Sequence, residues 1–292
     1  LLERDPDDSY ALNATEQLLE QRTVAPRAAA TLSRLYQKKG QIQDAASMLT
    51  LELRLATGSR RAEAQRELAI LKQDHLDDPK GARDLLEPLV SRDPADDDLR
   101  ERYVALSAML DRRVDAARLL SRSAHSAKEP DAKAKVLTQV GRLFLQCGDE
   151  RRAMASYQSA LETGADDPAV LRAAKELCEL YARVGDNKRL AKALEQVVQR
   201  EPDPAERHPA AERLARLCDE TGDKKLGVSA WSALLDSDQA EQALERLEAL
   251  STELADDAGL ARVLEKRAEL SQNAEEAREF IIRAATLRGE RL

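Results

Sequence analysis

Aromatic residues are scarce: one Trp, five Tyr and two Phe in 292 residues. Strands draw on aromatic and β-branched side chains, so the composition argues against an all-β sandwich or barrel. Binding that stacks bases on rings is equally short of material. Eleven Gly and ten Pro are few for a loop-rich enzyme of this length. Cys147, Cys178 and Cys218 stand 31 and 40 residues apart. That spacing fits neither a disulfide framework nor a zinc site. His75, His125 and His208 are as scattered. No run approaches the roughly 18 apolar residues that a membrane helix needs, so no membrane insertion is expected. An excess of positive charge is also missing: 46 basic residues face 54 acidic ones, for a net charge of −8. A nonspecific nucleic-acid binder would carry the opposite balance.

What is present is Ala, Leu, Glu, Arg, Gln and Asp, most of them good helix formers. Charged residues make up 34% of the chain with both signs interspersed, the pattern of a helical surface laced with ion pairs. Arg outnumbers Lys 33 to 13, as expected of a bacterial chain from a GC-rich genome. The length fits two ordinary domains or one elongated array. The sequence starts at Leu1 and not Met, so an excerpt of a longer protein is expected, in a cytoplasmic setting.

Internal repeats decide between the two architectures. Gly40, Asp77, Asp111, Gly148, Gly185, Gly222 and Asp256 follow one another at intervals of 34 to 37. Each closes an apolar-periodic stretch, and the next stretch follows at once. A residue that ends one helix and lets another begin has to adopt positive φ, which Gly does freely and Asp tolerates. The following Asp149, Asp186 or Asp223 can then cap the next helix. Five residues after the markers stand Ala45, Ala82, Ala116, Ala153, Leu190, Gly227 and Ala261, mostly small, so paired helices can approach closely. Nine residues after stand Leu49, Leu86, Leu120, Tyr157, Leu194, Trp231 and Glu265. Only the last breaks the pattern. Second breaks fall at Asp93-Pro94, Gly164–Pro168 and Glu201–Pro204, where Pro suits a helix entrance. The reading is seven helix pairs: 27–39 with 42–56, 60–75 with 79–91, 97–110 with 113–127, 131–146 with 150–163, 168–184 with 187–200, 206–221 with 224–236, and 239–254 with 258–270. Single helices flank them at 7–21 and 274–288. Glu201–Pro209 is expected to be the widest connection and a point of bending.

In this register the chain resembles the tetratricopeptide repeat family. The best unit is 134–168: Gly141 at the small position of its first helix, Phe144 at the aromatic one, Gly148-Asp149 at the turn, then Ala153, Tyr157 and Ala160. Leu177, Cys178, Tyr181, Gly185 and Pro202 repeat it. Departures are Asp in place of Gly at turns such as Asp111 and Asp256, units of 37, and no Trp at the first-helix aromatic position. The resemblance implies an all-α fold over residues 1–292, a single right-handed superhelical solenoid of antiparallel helix pairs. It also implies a non-catalytic protein-interaction scaffold with a concave groove lined by first helices.

Carried over by register, the ligand-facing positions are Arg34, Lys38, Lys135, Arg142, Arg172, Lys175, Arg183 and Arg216. A basic strip from Lys135 to Arg183 would suit an acidic or carboxylate-bearing partner segment. Glu67, Asp98, Glu101, Glu179 and Glu212 take equivalent places, so a solvated face of ion pairs is the competing reading. The Asn residues of the family's carboxylate clamp are absent.

No catalytic set, metal site or cofactor is expected. The acidic clusters Asp5–Asp8, Asp77-Asp78, Asp93–Asp98 and Asp256-Asp257 lack the spacing of a calcium loop and sit where carboxylates cap helices. Cys178 and Cys218 fall at core positions. The histidines suit surface or helix-end roles. Gly227–Trp231 lacks the second Gly of a nucleophile elbow, and Asn13-Ala14-Thr15 is a glycosylation sequon inside a helix. The alternatives are an RNA-binding solenoid and a regulatory segment of a larger enzyme.

Overall fold

The computed structural model describes residues 8–290. Asp5 and Asp7, and the start of the helix expected at 7–21, lie outside the described residues. Among the described residues there are sixteen α-helices, two short 3-10 turns and no strand. Close contacts group the chain into two compact units that meet at Ser156 and Tyr157.

The first unit opens with α1 (Ser9–Gln17) and a 3-10 turn, Leu18–Glu20. It continues with α2 (Ala25–Lys38), α3 (Ile42–Leu55), α4 (Gly58–Asp74), α5 (Pro79–Arg92), α6 (Asp97–Met109), α7 (Arg113–Ser123) and α8 (Pro130–Gln146). The start of α9 (Glu150–Leu161) ends it. The second unit takes the rest of α9, then α10 (Pro168–Val184), α11 (Asn187–Arg200), α12 (Pro204–Thr221), α13 (Lys224–Ser232), α14 (Ala240–Glu253), α15 (Asp257–Leu270) and α16 (Ala274–Glu290). Each expected pair is present, with ends displaced by a few residues. Within each unit helices pack mainly on their neighbours in sequence, as in a stack of repeats.

The turns follow the expected chemistry. Gly40, Gly148, Gly185 and Gly222 have φ of 71 to 75°, and Asp77 and Asp111 have φ of 48 and 56°. At Gly185 the N–H of Asp186 returns to the carbonyl of Tyr181 at 3.0 Å, the long bond of a Schellman motif. The same bond closes Gln41 on Tyr36, Arg112 on Ser107 and Asp149 on Phe144. The carboxylates of Asp78, Asp149, Asp186, Asp223 and Asp256 then accept from the backbone N–H three residues on, at 2.8 to 3.2 Å. Asp8 and Asp96 cap in the same way. Four of the acidic stretches are therefore helix starts, and no group of three metal-ligating side chains occurs among the described residues.

Three expectations need correction. The seventh marker is Ala255, with φ 53°, and not Asp256. Asp256 is one step on, where its N–H bonds the Ser251 carbonyl and its carboxylate caps α15. The cap took the Asp, which left Ala to make the turn. Glu201–Pro209 is not the widest connection: Pro204 starts α12, Pro209 lies inside it, and only Glu201–Asp203 link it to α11. Pro at a helix start loses no hydrogen bond, and the burial of Ala211, Leu214 and Ala215 holds the helix beyond Pro209. The helix expected at 224–236 stops at Ser232, and the chain continues to Gln239 through turns closed three residues back, such as Leu234 on Trp231.

Packing explains the poverty of rings. The positions five after the turns are all buried, with Ala45, Ala82, Ala116 and Ala153 fully so. A Cβ on Gly227 would stand 3.3 Å from Leu250 Cδ1, so close approach there depends on the missing side chain. Leu49, Leu86, Leu120, Tyr157, Leu194 and Trp231 are buried at the bulky position. One core gathers Ala45, Ala46, Leu49, Ala64, Leu68 and Leu71 from α3 and α4. Each buried Leu there contributes about 2 kcal/mol of transfer free energy.

Candidate functional site

The first helices present the basic residues expected at the groove, with different fates. Arg34 and Lys38 on α2 are exposed, as is Arg142 on α8. Lys135 on α8 is half-buried and already engaged. On α10, Arg172 is exposed, and Arg183 is exposed but engaged. Lys175 is half-buried, with its ammonium held by Glu201 at 2.6 Å and by Glu206. Arg216 on α12 is exposed and faces Glu212 at 3.5 Å.

Lys175 therefore ties α10 to the entrance of α12. Its hydrogen bond holds the Glu201 carboxyl below the usual carboxylate range, helped by the Asp203 N–H. The two glutamates raise the Lys175 ammonium in return. Similar ties run between successive first helices inside each unit. Arg66 on α4 reaches Asp98 on α6 at 2.8 Å, and Arg102 on α6 reaches back to Gln73 at 3.2 Å. Arg213 lies 3.7 Å from Glu179, and Arg246 pairs with Asp219. Arg207 and His208 on α12 share Asp236, at 2.6 and 2.9 Å. Much of this face is thus stitched by its own ion pairs. Among the described residues, Arg34, Lys38 and Arg142 in the first unit and Arg172 in the second have no ion-pair partner.

The nucleophilic candidates are core. Cys178 is buried and its thiol is pushed up to about 12, mainly by desolvation. Burial pushes Cys218 up to about 11. Thiols so placed do not form thiolates at neutral pH. Gly227–Trp231 lies inside α13, and Asn13 and Thr15 lie inside α1, where the Thr15 hydroxyl donates to the Ala11 carbonyl. His75 caps the end of α4, and His125 is exposed in a 3-10 turn.

A second polar constellation lies between α5 and α6. Arg83 on α5 is only 1% exposed. Its Nε donates to Ser107 Oγ at 3.1 Å, one terminal nitrogen donates to Tyr103 Oη at 2.9 Å, and the other lies 3.1 Å from Glu87. The guanidinium also lies 5.1 Å from the Tyr103 ring centre. Register reasoning passed over it. The signal was a departure: the residue six after the turn is Ala46, Ala117 and Ala191 in three other repeats, and Arg here. A cation over a ring also recurs at one repeat's distance, Arg152 over Phe144 and Arg189 over Tyr181.

The paired helices, the left-handed turn and the small residue five positions on define the class: an all-α, tetratricopeptide-like repeat array. No family model matches the sequence, and no curated protein matches it. Solved structures that are similar include the protein MamA, at 16% identity over 63% of this chain and 95% of that one, with a TM-score of 0.41. A tetratricopeptide repeat protein from Parabacteroides merdae shares 14% identity over 89% of this chain and 98% of its own, with a TM-score of 0.40. The Naa15/Naa10 complex bound to HypK-THB is similar over 99% of this chain and 49% of that one, at 14% identity and a TM-score of 0.45.

Proposed function

We propose that the chain is a non-catalytic protein-interaction scaffold that holds an acidic partner segment along the faces of its first helices, in the concave groove that the repeat resemblance implies. The observation that carries this reading is a set of exposed first-helix cations without an ion-pair partner among the described residues: Arg34, Lys38 and Arg142 in the first unit, and Arg172 in the second. Lys175 and Arg216, by contrast, already have acids beside them. An unpaired guanidinium offers a bidentate fork to a carboxylate. Stacked helix pairs expose long faces, and Cys178 and Cys218 are buried in the repeat core, which favours binding over chemistry.

The test is selection of twelve-residue peptides from a random displayed library on the wild-type chain, with affinities read by fluorescence polarisation. Acidic peptides are expected, weakened at least tenfold by Arg142→Glu with Arg172→Glu. Selected peptides that bind both forms equally would reject the reading. Retention of single-stranded RNA in a low-salt gel shift would support the nucleic-acid alternative instead.

A further inference from the structure

The first unit opens a cleft of about 560 Å³ whose walls come from α5, α6, α7, α8 and the start of α9. Five guanidinium groups line it, from Arg83, Arg112, Arg118, Arg122 and Arg152, against the carboxylates of Glu87 and Asp115. Three of the five are engaged. Arg83 is bound by Tyr103, Ser107 and Glu87 as described above. Arg112 Nε donates to Asp115 at 2.8 Å. Arg152 pairs with Asp149 at 3.2 Å and lies over Phe144 at 5.4 Å. Arg118 and Arg122, one turn apart on α7, are exposed and have no ion-pair partner among the described residues. Arg122 also borders an adjoining hollow of about 390 Å³, with Ser91, Ser123, His125 and Ser126.

We propose that this cleft is a second binding site, for an acidic peptide segment of a protein partner, with Arg118 and Arg122 as its carboxylate-binding residues. The charge balance is the first argument. The lining carries an excess of three positive charges, inside a chain whose net charge is −8. Elsewhere in this unit Arg66, Lys72, Arg100 and Arg102 each meet a carboxylate. Clustered guanidinium groups in a concave wall repel one another and focus a positive potential, which an incoming carboxylate relieves. Preorganisation is the second. The Arg83 fork is fixed from below by Tyr103 and Ser107, so one wall of the cleft is rigid before any ligand arrives. The third is chemical variety: Phe144 and Leu119 offer apolar contact beside the cations, and the exposed Ser91 and Ser126 of the adjoining hollow offer hydroxyl donors. A peptide with acidic side chains on an extended backbone uses all three. The cleft's unpaired cations, Arg118 and Arg122, stand on the second helix α7, apart from the first-helix cations Arg34, Lys38 and Arg142.

The test uses a fluorescein-labelled decaglutamate as probe, with decaglutamine as the neutral control, on the full chain in low salt. Decaglutamate is expected to bind and decaglutamine not to, with binding weakening steeply as salt is added. Arg118→Glu with Arg122→Glu should weaken decaglutamate at least tenfold while the circular dichroism spectrum is unchanged, since both side chains are exposed. In a chain that already carries Arg142→Glu and Arg172→Glu, decaglutamate should still bind, and adding Arg118→Glu with Arg122→Glu should still weaken it at least tenfold. Absence of decaglutamate binding in low salt overturns the proposal. So does loss of decaglutamate binding in the Arg142→Glu/Arg172→Glu chain alone, which would place the attraction on the first helices. Tighter binding of labelled oligouridylate, lost in the Arg118/Arg122 variant, overturns it in favour of nucleic acid.

Discussion

Two side chains show what single residues do in this molecule. Ala255 holds φ 53° where other turns have Gly or Asp. Left-handed backbone costs an L-residue roughly 1 kcal/mol, which glycine avoids. Ala255→Gly is therefore expected to stabilise the chain by about 0.5 to 1 kcal/mol in urea denaturation, a sign opposite to that of Gly inside a helix. Arg83 is the opposite kind of exception, a buried charge in a position that is Ala in three other repeats. Arg83→Ala should cost about 3 kcal/mol, because it strands the buried Tyr103 and Ser107 hydroxyls and opens a cavity. Arg83→Met keeps the volume and should cost clearly less in the same measurement. Equal losses would show that the hydrogen bonds contribute little. These two residues also mark where the sequence was and was not legible. Positive φ was readable at six turns because Gly and Asp advertise it, and unreadable at Ala255 because alanine does not. Arg83 was visible only as a break in register, and its partners lie 20 and 24 residues away on another helix.

At the scale of the helix, punctuation and cross-ties do most of the positioning. Asp186 bonds the Arg189 N–H at 3.0 Å, so Asp186→Ala should lower stability by about 1 kcal/mol, and Asp186→Asn by much less. Lys175 and Glu201 tie α10 to the start of α12. The Glu201 carboxyl is held below its ordinary 4.5, chiefly by the Lys175 hydrogen bond. A depressed carboxylate contributes stability that is present above the unfolded pKa and is lost as pH falls through the folded one. Thermal melts from pH 7 to pH 3 should thus show wild type above Lys175→Met at neutral pH, with the gap closing below about pH 4.5. A gap constant over that range would separate the tie from stability. The helix pairs themselves were legible almost to the residue at 168–184 and 187–200, where Pro, Gly and Asp mark both ends. The groove was legible only in part. Helical register placed Lys175 correctly on its helix, but the acids that occupy it stand 26 and 31 residues on, beyond any local pattern.

Over the whole chain, circular dichroism should report about 80% helix, in line with the 81% of the structure. Neighbour-to-neighbour packing within each unit also has a thermodynamic signature. Stability is then a sum of local terms and not one all-or-none event. Asp186→Ala should speed amide hydrogen exchange in α10 and α11 while leaving α2 to α5 unchanged. Uniform acceleration would instead show a single cooperative unit. The same turns have an evolutionary reach. The stretch from Asp186 to Gly222 begins with its own capping carboxylate and ends on its own left-handed glycine, and Asp223 then opens the next with an identical device. Duplicating or deleting such a 37-residue cassette would join a glycine to an aspartate at both seams, as the present chain already does. The array can lengthen or shorten without inventing a new junction.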